Sequence, residues 1–114
     1  MLNSVNLVGR MVYDPELKIT TTGKSVCTFK IANETGFGEN KKTNYVTCVA
    51  WSKQAEFVST YFSKGKYIAI SGRLDMREYE KDGQKRTVYE VVCADVSFCG
   101  GAEAKPIADD SLPF

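Results

Sequence analysis

The chain has 114 residues, with 15 Lys plus Arg against 14 Asp plus Glu, four Cys and no His. That length suits a single domain able to bury its own core, and a net charge of +1 offers no bulk attraction for nucleic acid or membrane. The missing histidine excludes Ser-His-Asp and Cys-His nucleophilic sites, zinc fingers built on paired Cys and His, and histidine pH switches.

Period-two alternation with β-branched and aromatic residues predicts strands over Ser4–Met11, Ser25–Glu34, Asn44–Trp51, Lys66–Tyr79 and Arg86–Cys99. Asp14-Pro15 and Thr22-Gly23 separate the first strand from the second, and Thr35–Lys42 is a polar, glycine-containing loop carrying Phe37. Asp82-Gly83 marks a hairpin turn that needs positive φ. One helix is expected over Lys53–Ser63, where Ala55, Val58 and Phe62 recur on one face, with Ser52 as N-cap and Gly65 as the stop. The result is an all-β protein with one helix between strands three and four. That is the element order of an OB-fold, a five-stranded Greek-key barrel. The barrel is expected over residues 1–99, and residues 100–114, interrupted by Pro106, form an unstructured acidic tail.

Cys27, Cys48, Cys93 and Cys99 have no CxxC spacing and sit in apolar stretches, which favours small buried hydrophobes over a metal site. The N-terminus has no basic segment leading into a long apolar run, and nothing approaches the ~18 apolar residues of a membrane span. A cytoplasmic protein without a membrane partner is expected. Thr22-Gly23-Lys24-Ser25 looks like the end of a phosphate-binding loop, but Lys18 stands where that loop needs glycine and a strand follows. No cofactor is implied.

The aromatic residues are more informative. Alternation along Asn44–Trp51 puts Val46, Cys48 and Ala50 toward the core and Tyr45, Thr47, Val49 and Trp51 on the opposite face. Tyr79 and Phe37 join this set, with Lys and Arg side chains interspersed. Flat rings suit stacked bases and the cations suit phosphates, at ~1–3 kcal/mol per stack with any base. Burial in the barrel or at a subunit contact is the competing reading of the same rings.

Specific motifs favour the first reading. Val5-Asn6-Leu7-Val8-Gly9-Arg10, Asp14-Pro15-Glu16-Leu17, Trp51-Ser52-Lys53 with Ala55-Glu56, Tyr61 with Lys64-Gly65, and Ser71-Gly72-Arg73-Leu74 leading to Arg77 and Tyr79 run through the chain in order. Together with the Asp-Asp-x-x-Pro-Phe ending, they resemble the bacterial single-stranded DNA-binding proteins in a short-linker form. The resemblance implies an OB-fold that assembles as a homotetramer, binds single-stranded DNA without sequence preference and catalyses no reaction. It places base stacking on Phe37, Tyr45, Trp51 and Tyr79, and phosphate contacts on Arg10, Lys18, Lys53, Arg73 and Arg77. It also implies that Asp109, Asp110, Ser111, Leu112, Pro113 and Phe114 recruit replication, recombination and repair proteins. Asp75 and Glu78 stand where many relatives carry basic residues, implying a weaker grip on phosphate, and Ile19 replaces a common aromatic. An OB-fold adaptor of a primosome or recombination complex, acting mainly by protein contacts, is the alternative.

Overall fold

The computed structural model describes residues 1–99. The tail residues Asp109 to Phe114, and the boundary expected at residue 100, lie outside them. The elements run β1 (Val5–Met11), β2 (Glu16–Ile19), β3 (Ser25–Thr35), a 3-10 turn (Gly38–Asn40), β4 (Lys42–Trp51), α1 (Ser52–Tyr61), β5 (Tyr67–Lys81) and β6 (Gln84–Phe98). The sheet order is β1-β5-β6-β4-β3-β2, and an additional β1–β3 pairing closes it into a barrel. All pairings are antiparallel except the short parallel contact of β4 with β6, where Cys48 faces Val91 and Val49 faces Val92. This is the OB-fold.

β3 and β4 line the core with alternate residues. Cys27, Phe29 and Ile31 from β3 meet Cys48 and Ala50 from β4, and all five are fully buried. The apolar face expected of the helix does close the barrel: Ala55 and Val58 are fully buried and Phe62 nearly so. Its capping differs from expectation. Ser52 is the first helical residue, Trp51 occupies the N-cap, and no side chain caps the end. Ser52 instead takes a φ of 54°, a left-handed conformation that turns the chain sharply from β4 into α1. The helix stops at Tyr61, and Gly65, with φ 93°, makes the turn that follows.

A sixth strand, β2, occupies the segment expected to be a break. It is short and exposed throughout, and pairs only with β3, from Glu16 opposite Thr28 to Ile19 opposite Ser25. The β5–β6 hairpin extends past the expected strand ends and turns at Asp82 and Gly83, whose φ values are 55° and 77°. It projects from the barrel as a two-stranded ribbon.

Where the ribbon leaves the barrel, the register slips between Ser71 and Gly72, and Ala94 is left unpaired in β6. A bulge of this kind reverses which face each later residue occupies. Cys93 and Val96 are accordingly both buried although they are three positions apart, a spacing that strict alternation would put on opposite faces. Gly72 lets the strands approach here, because a Cβ at that position would run into the Val92 carbonyl oxygen. Gly72→Ala should therefore lower stability by about 1–3 kcal/mol, the usual cost of overpacking. Thermal unfolding checks this, and an unchanged Tm would mean that the strands can part without cost.

Cys27, Cys48 and Cys93 are buried as expected, whereas Cys99 is only half-buried. Burial pushes the Cys27 thiol up to about 11. A hydrogen bond with Cys93, together with burial, pushes Cys48 up as well. These thiols behave as core hydrophobes. Among the described residues no group of His, Cys, Asp and Glu could hold a metal, and no helix is long and apolar enough to cross a membrane.

Candidate nucleic-acid interface

Once Cys48 and Ala50 point inward, the alternation of β4 leaves Tyr45, Thr47, Val49 and Trp51 on the outer face of the barrel. The cross-strand register extends this face in both directions. Trp51 lies opposite Val26, which lies opposite Lys18 on β2. Thr47 lies opposite Lys30, and Tyr45 opposite Ala32, which also pairs with Arg10 on β1. On the other flank, Val49 faces Val92, and the ribbon continues with Arg73 beside Val92, Asp75 beside Glu90, Arg77 beside Val88 and Tyr79 beside Arg86. Rings and cations from six strands thus share one surface. Tyr45 is 65% exposed, and Trp51 and Tyr79 are each 42% exposed, so all three present ring area to an incoming ligand.

The charges on this face are held in place. Arg77 donates from Nε and Nη2 to the two carboxylate oxygens of Glu90, each at 3.2 Å. Glu90 is only 6% exposed, while the Arg77 side chain stays more than half exposed. Hydrogen bonds to Glu90, reinforced by its charge, hold the Arg77 pKa above the usual arginine value. The same guanidinium lies 5.9 Å from the centre of the Tyr79 ring. Arg10 is held in a similar way: it donates to the Tyr67 hydroxyl at 2.8 Å and lies over the Tyr67 ring at 5.1 Å. Such clamped cations lose little freedom when a phosphate arrives.

Between Trp51 and the base of the ribbon the face dips into a groove of about 260 Å³. Val26, Val49 and Val92 give it an apolar lining, and Asp75, Arg77 and Glu90 supply its charges.

The single-strand binding protein family model matches residues 2–99, nearly the whole described chain. The chain belongs to that family. A single-stranded DNA-binding protein of Clostridium tetani (strain Massachusetts / E88) is 48% identical over 101 residues, covering 85% of this chain and 70% of the relative. One from Fusobacterium nucleatum subsp. nucleatum is 41% identical over 102 residues, covering 85% and 66%. Single-stranded DNA-binding protein 3 of Clostridium acetobutylicum is 39% identical over 117 residues, covering 97% and 81%.

In this member of the family, seven of the nine barrel residues singled out by sequence fall on the shared face: Arg10, Lys18, Tyr45, Trp51, Arg73, Arg77 and Tyr79. Lys18 also forms an ion pair with Glu16 at 3.4 Å. The other two stand apart from the strands. Phe37, 90% exposed, precedes the 3-10 turn, where its carbonyl accepts a hydrogen bond from the Asn40 N–H at 2.9 Å. Lys53 lies on the first turn of α1, in a depression shared with Gln54, Phe57 and Asp95. Lys30, Tyr67 and Glu90 are residues of this face that sequence reasoning missed. Lys30 could have been found by carrying the alternation of Cys27, Phe29 and Ile31 along β3.

Proposed function

We propose that this chain is a non-enzymatic binder of single-stranded DNA that works in the cytoplasm on exposed strands of the nucleoid. The continuous face carrying Tyr45, Trp51 and Tyr79 among Arg and Lys side chains is the observation that supports this most directly. Stacking on a ring face tolerates every base, and the cations follow the phosphates, so binding depends little on sequence. Phe37 would add a stack from its loop, and Lys53 would extend the basic path past Trp51. Charge supports a division of labour. Residues 1–100 hold 14 basic and 11 acidic side chains, whereas residues 101–114 hold Lys105 against Glu103, Asp109 and Asp110. The near-neutral total therefore combines a mildly basic barrel with an acidic tail.

Trp51 is the only tryptophan and lies on the proposed face, so its fluorescence reports directly on binding. Titration with oligo(dT) should quench it. The logarithm of the binding constant should fall with the logarithm of salt at a slope near −0.7 per phosphate neutralised. A chain that shows neither quenching nor a salt-sensitive complex does not work in this way.

Two further parts of the proposal concern protein partners. The ribbon face opposite Arg77 exposes Leu74, Met76 and Tyr89, an apolar surface that supports assembly into a homotetramer. The acidic pair Asp109-Asp110 ahead of Leu112, Pro113 and Phe114 supports recruitment of replication, recombination and repair proteins, with Phe114 filling an apolar pocket and the acids meeting basic residues. Pro113 restricts the conformations lost on docking, and Ser111 is a small spacer between acids and anchor.

A further inference from the structure

Asp75 is an unexpected residue on a surface meant for phosphates. It lines the groove beside Trp51 and lies directly opposite Glu90 in the ribbon register. Like charges in that relation repel. Glu90 is neutralised by two hydrogen bonds from Arg77, but the Asp75 carboxylate makes no hydrogen bond or ion pair among the described residues. Its carboxylate is an acceptor with unused capacity in a groove whose other lining is Trp51, three valines, Thr28 and the paired Arg77 and Glu90. A phosphate would favour Arg77 and keep away from Asp75. A base stacked on Trp51 would instead turn a ring edge toward it.

We propose that Asp75 makes this groove a subsite selecting bases that present an amino group, cytosine above thymine; the proposal rests on the DNA-binding reading above. Cytosine carries an N4 amino donor where thymine carries an O4 acceptor. The Asp75 carboxylate accepts from the first and repels the second. The remaining stacking positions are indifferent to the base, so the chain binds every strand but seats cytosine preferentially in this one place.

The test compares oligo(dC) and oligo(dT) of equal length at fixed salt, read by Trp51 quenching, for the full chain and for Asp75→Ala and Asp75→Asn. Both are pyrimidine strands, so their ratio of Kd values isolates the edge chemistry. Asp75→Ala should weaken dC binding and strengthen dT binding, shifting the ratio by about tenfold toward dT. Asp75→Asn, which offers both a donor and an acceptor, should bring the two closer to parity. Asp75 is exposed at the base of the ribbon, and an unchanged unfolding transition confirms that each variant is folded. If both oligonucleotides gain affinity equally in Asp75→Ala, Asp75 merely repels phosphate and the proposal is overturned. If the unaltered chain binds neither strand, the DNA-binding reading itself has failed.

Discussion

Phe29→Ala is expected to destabilise the barrel by about 3–5 kcal/mol, the range seen when a buried aromatic leaves a cavity. Among the described residues Phe29 is the largest fully buried side chain, and it lies opposite Cys48 on the inner face of β3 and β4. Its surroundings cannot easily collapse into the space, because Ile31, Ile68, Val58 and Val91 are themselves fixed by strands or by the helix that closes the barrel end. A domain of this size has only about 5–15 kcal/mol in hand, so the variant should unfold at much lower urea, near the limit of its stability. Equilibrium denaturation measures the change. Leu74→Ala serves as the control: Leu74 is 47% exposed in the isolated chain, so its loss should cost far less in the dissociated protein. A Phe29 variant losing less than about 1 kcal/mol would mean that the core is organised differently.

The core was readable because its signals are local. Val46, Cys48 and Ala50 alternate with polar and aromatic neighbours along a single strand, and Ala55, Val58 and Phe62 recur at helical spacing. The Asp82-Gly83 turn could be placed because few other sequences accept positive φ at both positions. What escaped depends on pairing. β2 contains only Glu16 to Ile19, all exposed, so burial imposes no apolar alternation and only its hydrogen bonds to β3 reveal it. The bulge at Ala94 puts Cys93 and Val96, three positions apart, on the same buried face, which no single period describes. Ser52 was expected as a cap because serine there usually accepts an orphan N–H, but the sharp exit from β4 uses its backbone and not its hydroxyl.

The binding face shows the same division. Tyr45 and Trp51 follow from one strand, so their common orientation was legible. The clamp of Arg77 by Glu90 joins residues 13 apart and exists only in the register set by the hairpin turn. This clamp also changes the meaning of the acidic residues on the ribbon. Glu90 is the support that aims a cation toward Tyr79, whereas the Asp75 carboxylate has no partner among the described residues. Two carboxylates facing each other across the ribbon thus do opposite work, which composition alone could not distinguish.

Trp51→Ala should weaken single-stranded DNA binding by about 1–3 kcal/mol, roughly 5- to 150-fold in Kd, while leaving the fold intact. Trp51 sits at the end of β4, where it forms one wall of the groove and faces Val26 across the strands. Removing the indole takes away a stacking surface on the face but opens no cavity in the core, because Trp51 is 42% exposed already. The variant loses its own fluorescent reporter, so the affinity is read from the anisotropy of a labelled oligo(dT). Trp51→Tyr should recover much of the loss, since stacking needs a ring face and not an indole. Tyr61→Ala is the companion measurement. Tyr61 is 52% exposed but lies on α1, packed against Phe57 and Phe98 and away from the basic face. Its loss should leave Kd within about twofold, because the ~1–3 kcal/mol of a base stack depends on ring position and not on ring exposure alone. Equal losses from Trp51→Ala and Tyr61→Ala would mean that DNA follows a different path across the barrel. A normal affinity in Trp51→Ala would remove the central element of the proposed interface.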